Sequence, residues 1–169
     1  AEAVVRLRLS HLVITSPTRD DLPDGGASHY ASTVNAIRER APETFIELLV
    51  PDFKGDESAL KTVLAVNPGI LAHNLETVPR LYEVRKGANY RRSLELLEKA
   101  LEMSPSVKTK SGIMLGLGEK IDEVRTAMHD LLSVGCSFLS LGQYLAPSRR
   151  HHPVMEYIEP VIFDELRNE

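Results

Sequence analysis

Short apolar runs alternate with stretches of helical period from one end of the chain to the other. Leu12-Val13-Ile14-Thr15 is β-branched and closed by Ser16-Pro17, which predicts a buried strand. A turn-rich loop over 19–26 leads to a helix over 27–40, with Tyr30, Val34 and Ile37 on one face and Pro42 as its stop. Residues 45–50 predict a second strand closed by Pro51-Asp52, and 57–66 a short helix. Asn67-Pro68-Gly69 turns the chain into a third strand at Ile70-Leu71-Ala72-His73-Asn74. A brief helix holds Val78, Leu81 and Tyr82, and an amphipathic one over 92–103 carries Leu94, Leu97 and Leu101. Ile113-Met114-Leu115 reads as the fourth strand, ending in Gly116-Leu117-Gly118-Glu119. Ile121, Val124, Met128, Leu131 and Leu132 mark a helix that ends at Gly135, its expected C′ residue. Residues 137–141 predict a fifth strand, and 147–153 a polar loop.

Near-continuous apolar strands alternating with helices imply a parallel sheet covered by helices, in an open doubly wound sheet or a (β/α) barrel. The polar, glycine-rich segments all fall at strand C-terminal ends, where both architectures place their sites. No low-complexity linker interrupts residues 1–169, so one domain is expected. Ala1 to Leu7 read as the last turns of a helix under way, and Asp164 to Glu169 as the opening of another. The expectation is a chain cut at both ends, with no signal peptide at its start.

Composition narrows the classes. The 169 residues are 43% hydrophobic and 26% charged, as in a globular chain able to bury a core. A net charge of −4 argues against a nucleic-acid binder, and no apolar run is long enough to span a bilayer. The single cysteine, Cys136, forbids an internal disulfide and any multi-thiolate metal site, and makes a reducing, cytoplasmic compartment the default.

Five polar segments carry the candidate chemistry. Gly25-Gly26, beside Arg19-Asp20-Asp21 and Asp24, allow close approach of a ligand to the backbone, or form a solvated turn with an aspartate capping the next helix. Asn74 and Glu76 project alike from an extended chain and suit ribose hydroxyls or an amine; the alternative has Glu76 opening a helix and His73 as a hydrogen-bonded core residue. Arg91 and Arg92 open a helix against its macrodipole, which suits a bound carboxylate, or else pair with Glu95. Gly112 and Gly116 would clear one face of a strand for a flat ligand, and Lys110 could serve as a Schiff-base lysine in a barrel core. Gln143 and Tyr144 follow the fifth strand, ahead of a loop, Arg149-Arg150-His151-His152, better read as solvated than as a metal site. No acid–base pair, nucleophile triad or metal cluster emerges, so neither a catalytic nor a metal-binding residue is assigned.

In order and spacing these segments resemble the lipoyl synthases, a family of the radical S-adenosylmethionine superfamily, from near residue 4 to near residue 166. The resemblance rests on Arg19-Asp20-Asp21-Leu22-Pro23-Asp24-Gly25-Gly26, Pro51-Asp52-Phe53-Lys54-Gly55, His73-Asn74-Leu75-Glu76-Thr77-Val78-Pro79-Arg80-Leu81-Tyr82 and Tyr90-Arg91-Arg92-Ser93-Leu94. It continues through Thr109-Lys110-Ser111-Gly112-Ile113-Met114-Leu115-Gly116-Leu117-Gly118-Glu119, Gly142-Gln143-Tyr144-Leu145, Pro147-Ser148 and His152-Pro153-Val154. It implies a partial (β/α) barrel holding S-adenosylmethionine at the strand C-termini. Gly25 and Gly26 would lie by the methionyl amino group, and Arg91 or Arg92 by its carboxylate. Asn74 and Glu76 would meet ribose or substrate. Gly112, Met114, Gly116 and Glu119 would flank the adenine, with Gln143 and Tyr144 on the same side. His73, Lys110 and Ser111 would face the substrate.

For a full-length parent, the resemblance implies sulfur insertion at two C–H positions of an octanoyl group on a lipoyl-carrier lysine. Two 4Fe-4S clusters and an electron donor such as a flavodoxin or ferredoxin are implied with it. The chain departs from the family in lacking the C-x-x-x-C-x-x-C motif, a further cysteine triplet and a C-terminal Arg-Ser-Ser-Tyr segment. It is therefore expected to be an internal fragment, inactive alone. Biotin synthase or another sulfur-inserting relative is the near alternative. A non-catalytic binding domain and a Lys110-dependent aldolase are the alternatives of other classes.

Overall fold

The computed structural model describes residues 1–169. Five strands, β1 (His11–Thr15), β2 (Phe45–Leu49), β3 (Ile70–Ala72), β4 (Lys108–Leu115) and β5 (Phe138–Gln143), form one all-parallel sheet in chain order. Helices α1 (Glu2–Leu7), α2 (Ala27–Arg40), α3 (Glu57–Leu64), α4 (Tyr90–Met103), α5 (Ile121–Ser133) and α6 (Pro160–Asn168) complete it. This is the expected α/β half-barrel. No helix is long and apolar enough to cross a membrane.

Side-chain parity along each strand separates two faces. Ile46, Leu48, Leu71, Ile113 and Leu115 join Val34, Ile37, Val63, Leu97 and Val124 in the core between sheet and helices. Each fully buried side chain contributes about 1.5–3 kcal/mol of transfer free energy, enough for the helix layer to fix which face turns inward. The other face is hollow, carrying Val13, Phe45, Glu47, Leu49, Ile70, Ala72, Lys110, Gly112 and Met114. Ile70 and Ala72 are buried there although outside the helix-facing core.

Local chemistry sets the ends of the elements. Asp56 caps α3 by accepting the Ser58 N–H at 2.8 Å, and Asn89 caps α4 by accepting the Arg92 N–H at 2.9 Å. Gly135 closes α5 at φ 75°, and the following Cys136 N–H returns to the Leu131 carbonyl, as expected of a C′ glycine. Several boundaries differ from the sequence reading, among them the end of β3 at Ala72 instead of Asn74 and the start of α4 at Tyr90 instead of Arg92. β4 starts at Lys108 and β5 runs on to Gln143, because pairing along the neighbouring strand outweighs the weak strand propensity of Lys, Ser and Gly. Residues Pro79–Val84 form a 3-10 turn instead of an α-helix.

Candidate active site

All five strands run the same way, so the five loops that follow them lie along one edge of the sheet. Neighbouring loops are laced together. Lys54, after β2, meets Asp20, after β1, at 3.1 Å. Asp52 receives the Arg92 Nε–H at 2.7 Å, tying the loop after β2 to the start of α4. Arg80, after β3, donates to the Gly118 carbonyl at 2.8 Å and forks onto Glu123. The Met155 N–H reaches the Gly116 carbonyl at 2.8 Å, and His152 Nε2 lies 2.9 Å from the Leu117 carbonyl.

After β1, Gly25 and Gly26 adopt φ 59° and 89°, and a Cβ at Gly25 would sit 2.9 Å from the Phe53 ring. The turn thus demands glycine on both conformational and steric grounds. Asp24 accepts N–H bonds from Gly26 and Ser28 as well as the Ser28 hydroxyl, which holds its carboxyl down at about 2. Gly25 lines a polar cleft of about 470 Å³ shared with Arg19, Asp20, Phe53 and Lys54.

After β3, Glu76 occupies the left-handed region at φ 66°, a conformation that costs a non-glycine residue about 1–3 kcal/mol. The β4 backbone holds it there: Glu76 N–H donates to the Gly112 carbonyl and Met114 N–H to the Glu76 carbonyl, both at 2.8 Å. Glu76 therefore opens no helix. Arg85 donates to the Asn74 and Leu75 carbonyls at 3.2 and 3.1 Å and stacks on Tyr82, whose hydroxyl meets Ser93 Oγ.

That serine leads to His73. The imidazole is buried, with Nδ1 2.8 Å from the Val50 carbonyl and Nε2 2.9 Å from Ser93 Oγ, and desolvation lowers its pKa. His73 is thus a hydrogen-bonded core residue, a correction to its expected place against substrate. Ser111 needs the same correction. Strand parity turns it into the helix layer, where Oγ accepts the Leu75 N–H at 3.2 Å.

Lys110 does face the hollow, with its Nζ 2.8 Å from Glu47 Oε1. An amine held by a carboxylate is not presented as a free nucleophile, so the Schiff-base reading finds no support. The spaces beside two of the glycines are filled by protein. A Cβ on Gly112 would lie 2.9 Å from Asn74 Oδ1, and one on Gly116 would strike the Gln143 amide and the Glu156 carbonyl. The cleared surface lies instead at Gly142, level with Met114, where an added Cβ would meet nothing within 4 Å.

Glu119 folds back onto its own turn, accepting the Gly116 and Leu117 N–H groups at 2.6 and 2.9 Å. Gln143 accepts the Ile158 N–H and donates to the Glu156 carbonyl, while the buried Tyr144 donates its hydroxyl to the His152 carbonyl. These two residues fasten the segment after β5 over the rim. The two arginines separate cleanly. Arg91 is 87% exposed and pairs with Glu95, whereas Arg92 lies half-buried on Asp52. Arg85 and Glu47 were missed in the sequence and Asp52 was noted there only within Pro51-Asp52-Phe53-Lys54-Gly55, although a lone carboxylate inside Phe45-Ile46-Glu47-Leu48-Leu49 is itself a signal.

A rim of laced loops around a hollow parallel sheet fits the family whose sequence pattern, the Radical SAM superfamily, matches residues 1–131. The chain belongs to the radical SAM superfamily. As a radical SAM chain it is 70% identical over all its 169 residues to a lipoyl synthase of Trichlorobacter lovleyi, covering 60% of that protein. It is 64% identical over 167 residues to a lipoyl synthase of Citrifermentans bemidjiense, covering 57% of it. The chain thus spans about 60% of the length of such relatives. In fold it resembles methylornithine synthase, with a TM-score of 0.70 at 12% identity over 94% of this chain and 47% of that one.

Membership implies S-adenosylmethionine and a 4Fe-4S cluster as the superfamily's cofactors. On the rim the face at Gly142 is clear of side chains and the Asn74-Leu75-Glu76 mouth is pinned to β4, which leaves open surface for an organic cofactor. The donor set does not fit a cluster. Cys136 is the sole thiol and precedes β5, at the sheet edge opposite the rim, and no three acidic, histidine or cysteine side chains converge. No chemical step of this chain's residues therefore runs through iron.

Proposed function

We propose that residues 1–169 are the S-adenosylmethionine-binding and substrate-binding part of a lipoyl synthase, as one domain of radical SAM core. The parent would be a cytoplasmic sulfurtransferase that places two sulfur atoms on an octanoyl group held by a carrier-protein lysine. The observation that carries the reading is end-to-end identity of 70% with a lipoyl synthase, on a rim whose polar loops are tied to one another. Both 4Fe-4S clusters would be held by residues outside this chain, and an electron donor such as a flavodoxin or ferredoxin would serve them. When bound, S-adenosylmethionine would supply the radical chemistry needed to remove hydrogen from an unactivated carbon.

The chain's own residues bind and orient. Gly25 and Gly26 shape the cleft for the methionyl end, and Arg92, directed to the rim as Arg91 is not, supplies the guanidinium for its carboxylate. Asn74 and Glu76 meet the ribose. Gly112, Met114, Gly116 and Glu119, with Gln143 and Tyr144, build the adenine side, Glu119, Gln143 and Tyr144 by holding the backbone around it. The hollow face with Lys110 takes the substrate.

Two experiments test this. Replacing the matching stretch of the Trichlorobacter lovleyi lipoyl synthase by this chain should leave an enzyme that lipoylates an octanoylated carrier domain; a soluble, cluster-loaded chimera without that activity overturns the reading. Calorimetric titration of the isolated chain with S-adenosylmethionine should show weak binding that Glu76→Ala abolishes. Micromolar affinity untouched by Glu76→Ala overturns the site assignment.

A further inference from the structure

We propose that the Glu47–Lys110 ion pair is the floor of an acyl chamber on the hollow face of the sheet, and that it sets the length of apolar chain the chamber accepts. The inference deepens the octanoyl reading above and rests on it. Glu47 is a carboxylate on an apolar strand, with its side chain only 4% exposed on a face that no helix covers. Lys110 sits on β4 and Glu47 on β2, so a 2.8 Å contact between them carries the lysine stem across the hollow side of β3. That crossing accounts for the burial of Ile70 and Ala72 outside the helix-facing core.

The two sides of the strut differ. Towards the strand N-termini, His11 Nε2 lies 3.6 Å from Glu47 and its ring packs edge-on against Phe45, which in turn lies against Gly69. That end is closed. Towards the rim the same face carries Leu49, Met114 and the side-chain-free Gly142, with the Asn74 amide over Gly112 and Ser140 as its polar members. From Met114 down to Lys110 the strand descends about 13 Å, a depth suited to a medium-length acyl chain. An alkyl tail touching the strut would strip water from both charges and return no hydrogen bond, so binding gains stop at that level.

The test is a calorimetric titration of the full chain with lysyl peptides carrying octanoyl, decanoyl or dodecanoyl groups. In the natural chain, affinity should stop rising beyond octanoyl. In the double variant Glu47→Leu with Lys110→Met, which removes both charges together, the dodecanoyl peptide should bind at least about tenfold tighter than the octanoyl one, because each further buried methylene tightens binding about fourfold. Circular dichroism checks the fold, and Glu47→Gln with Lys110→Met serves if the first variant does not fold. An unchanged length profile in a folded variant overturns the floor and leaves the octanoyl reading standing. Failure of the natural chain to bind any acyl peptide overturns both.

Discussion

Both carboxylate oxygens of Glu119 accept backbone N–H groups from the turn that precedes it. Glu119→Ala should therefore lower stability by about 1–3 kcal/mol in urea unfolding, by orphaning two part-buried donors, with Glu119→Gln milder because one oxygen remains. Cys136 gives a second residue-scale expectation. Burial raises its thiol pKa, so alkylation by iodoacetamide at neutral pH should be much slower than for a free cysteine, and should accelerate on unfolding. The core role of His73 was one of the two readings the sequence offered, whereas that of Ser111 was hidden for a simple reason. With the fourth strand starting at Ile113, residues 108–112 had no assigned face. Once the strand begins at Lys108, period-two alternation places Lys110 and Gly112 in the hollow and Ser111 against the helices.

At the scale of elements, the strands and helices were legible because apolar runs and helical spacing report burial directly. Side-chain ties between elements, such as Arg80 to Gly118 or Arg92 to Asp52, leave no periodic trace. The entry to α2 depends on Asp24, whose folded pKa, at about 2, lies below its ordinary value of 3.8. The depressed value means its contribution is fully present above the ordinary carboxylate range and is lost as pH falls through about 2. Acid titration should then release the Gly26 and Ser28 amides first, visible as faster hydrogen exchange at those positions, and Asp24→Asn should flatten the effect. The path from His73 through Ser93 and Tyr82 to Arg85 makes a similar device at β3. Arg85→Met should loosen the Asn74 and Leu75 carbonyls, raising exchange at Glu76 more than it lowers the unfolding midpoint.

For the molecule as a whole, the sequence located the rim but not how its space is shared. Glycines at 112 and 116 looked like clearings, yet Asn74, Gln143 and the 156 carbonyl occupy them, because a missing side chain invites a neighbour as readily as a ligand. The cleared position, Gly142, lay outside the strand as read from sequence. Gly142→Val should accordingly leave stability within about 0.5 kcal/mol while weakening S-adenosylmethionine binding, measured by parallel denaturation and titration.

The plain order of the sheet, each strand beside its predecessor, has a consequence for how the protein is made. A ribosome emitting this polypeptide delivers each strand after β1 to a partner that has already emerged. Assembly can thus advance one βα unit at a time behind the exit tunnel, the edge awaiting its next neighbour always being the newest strand.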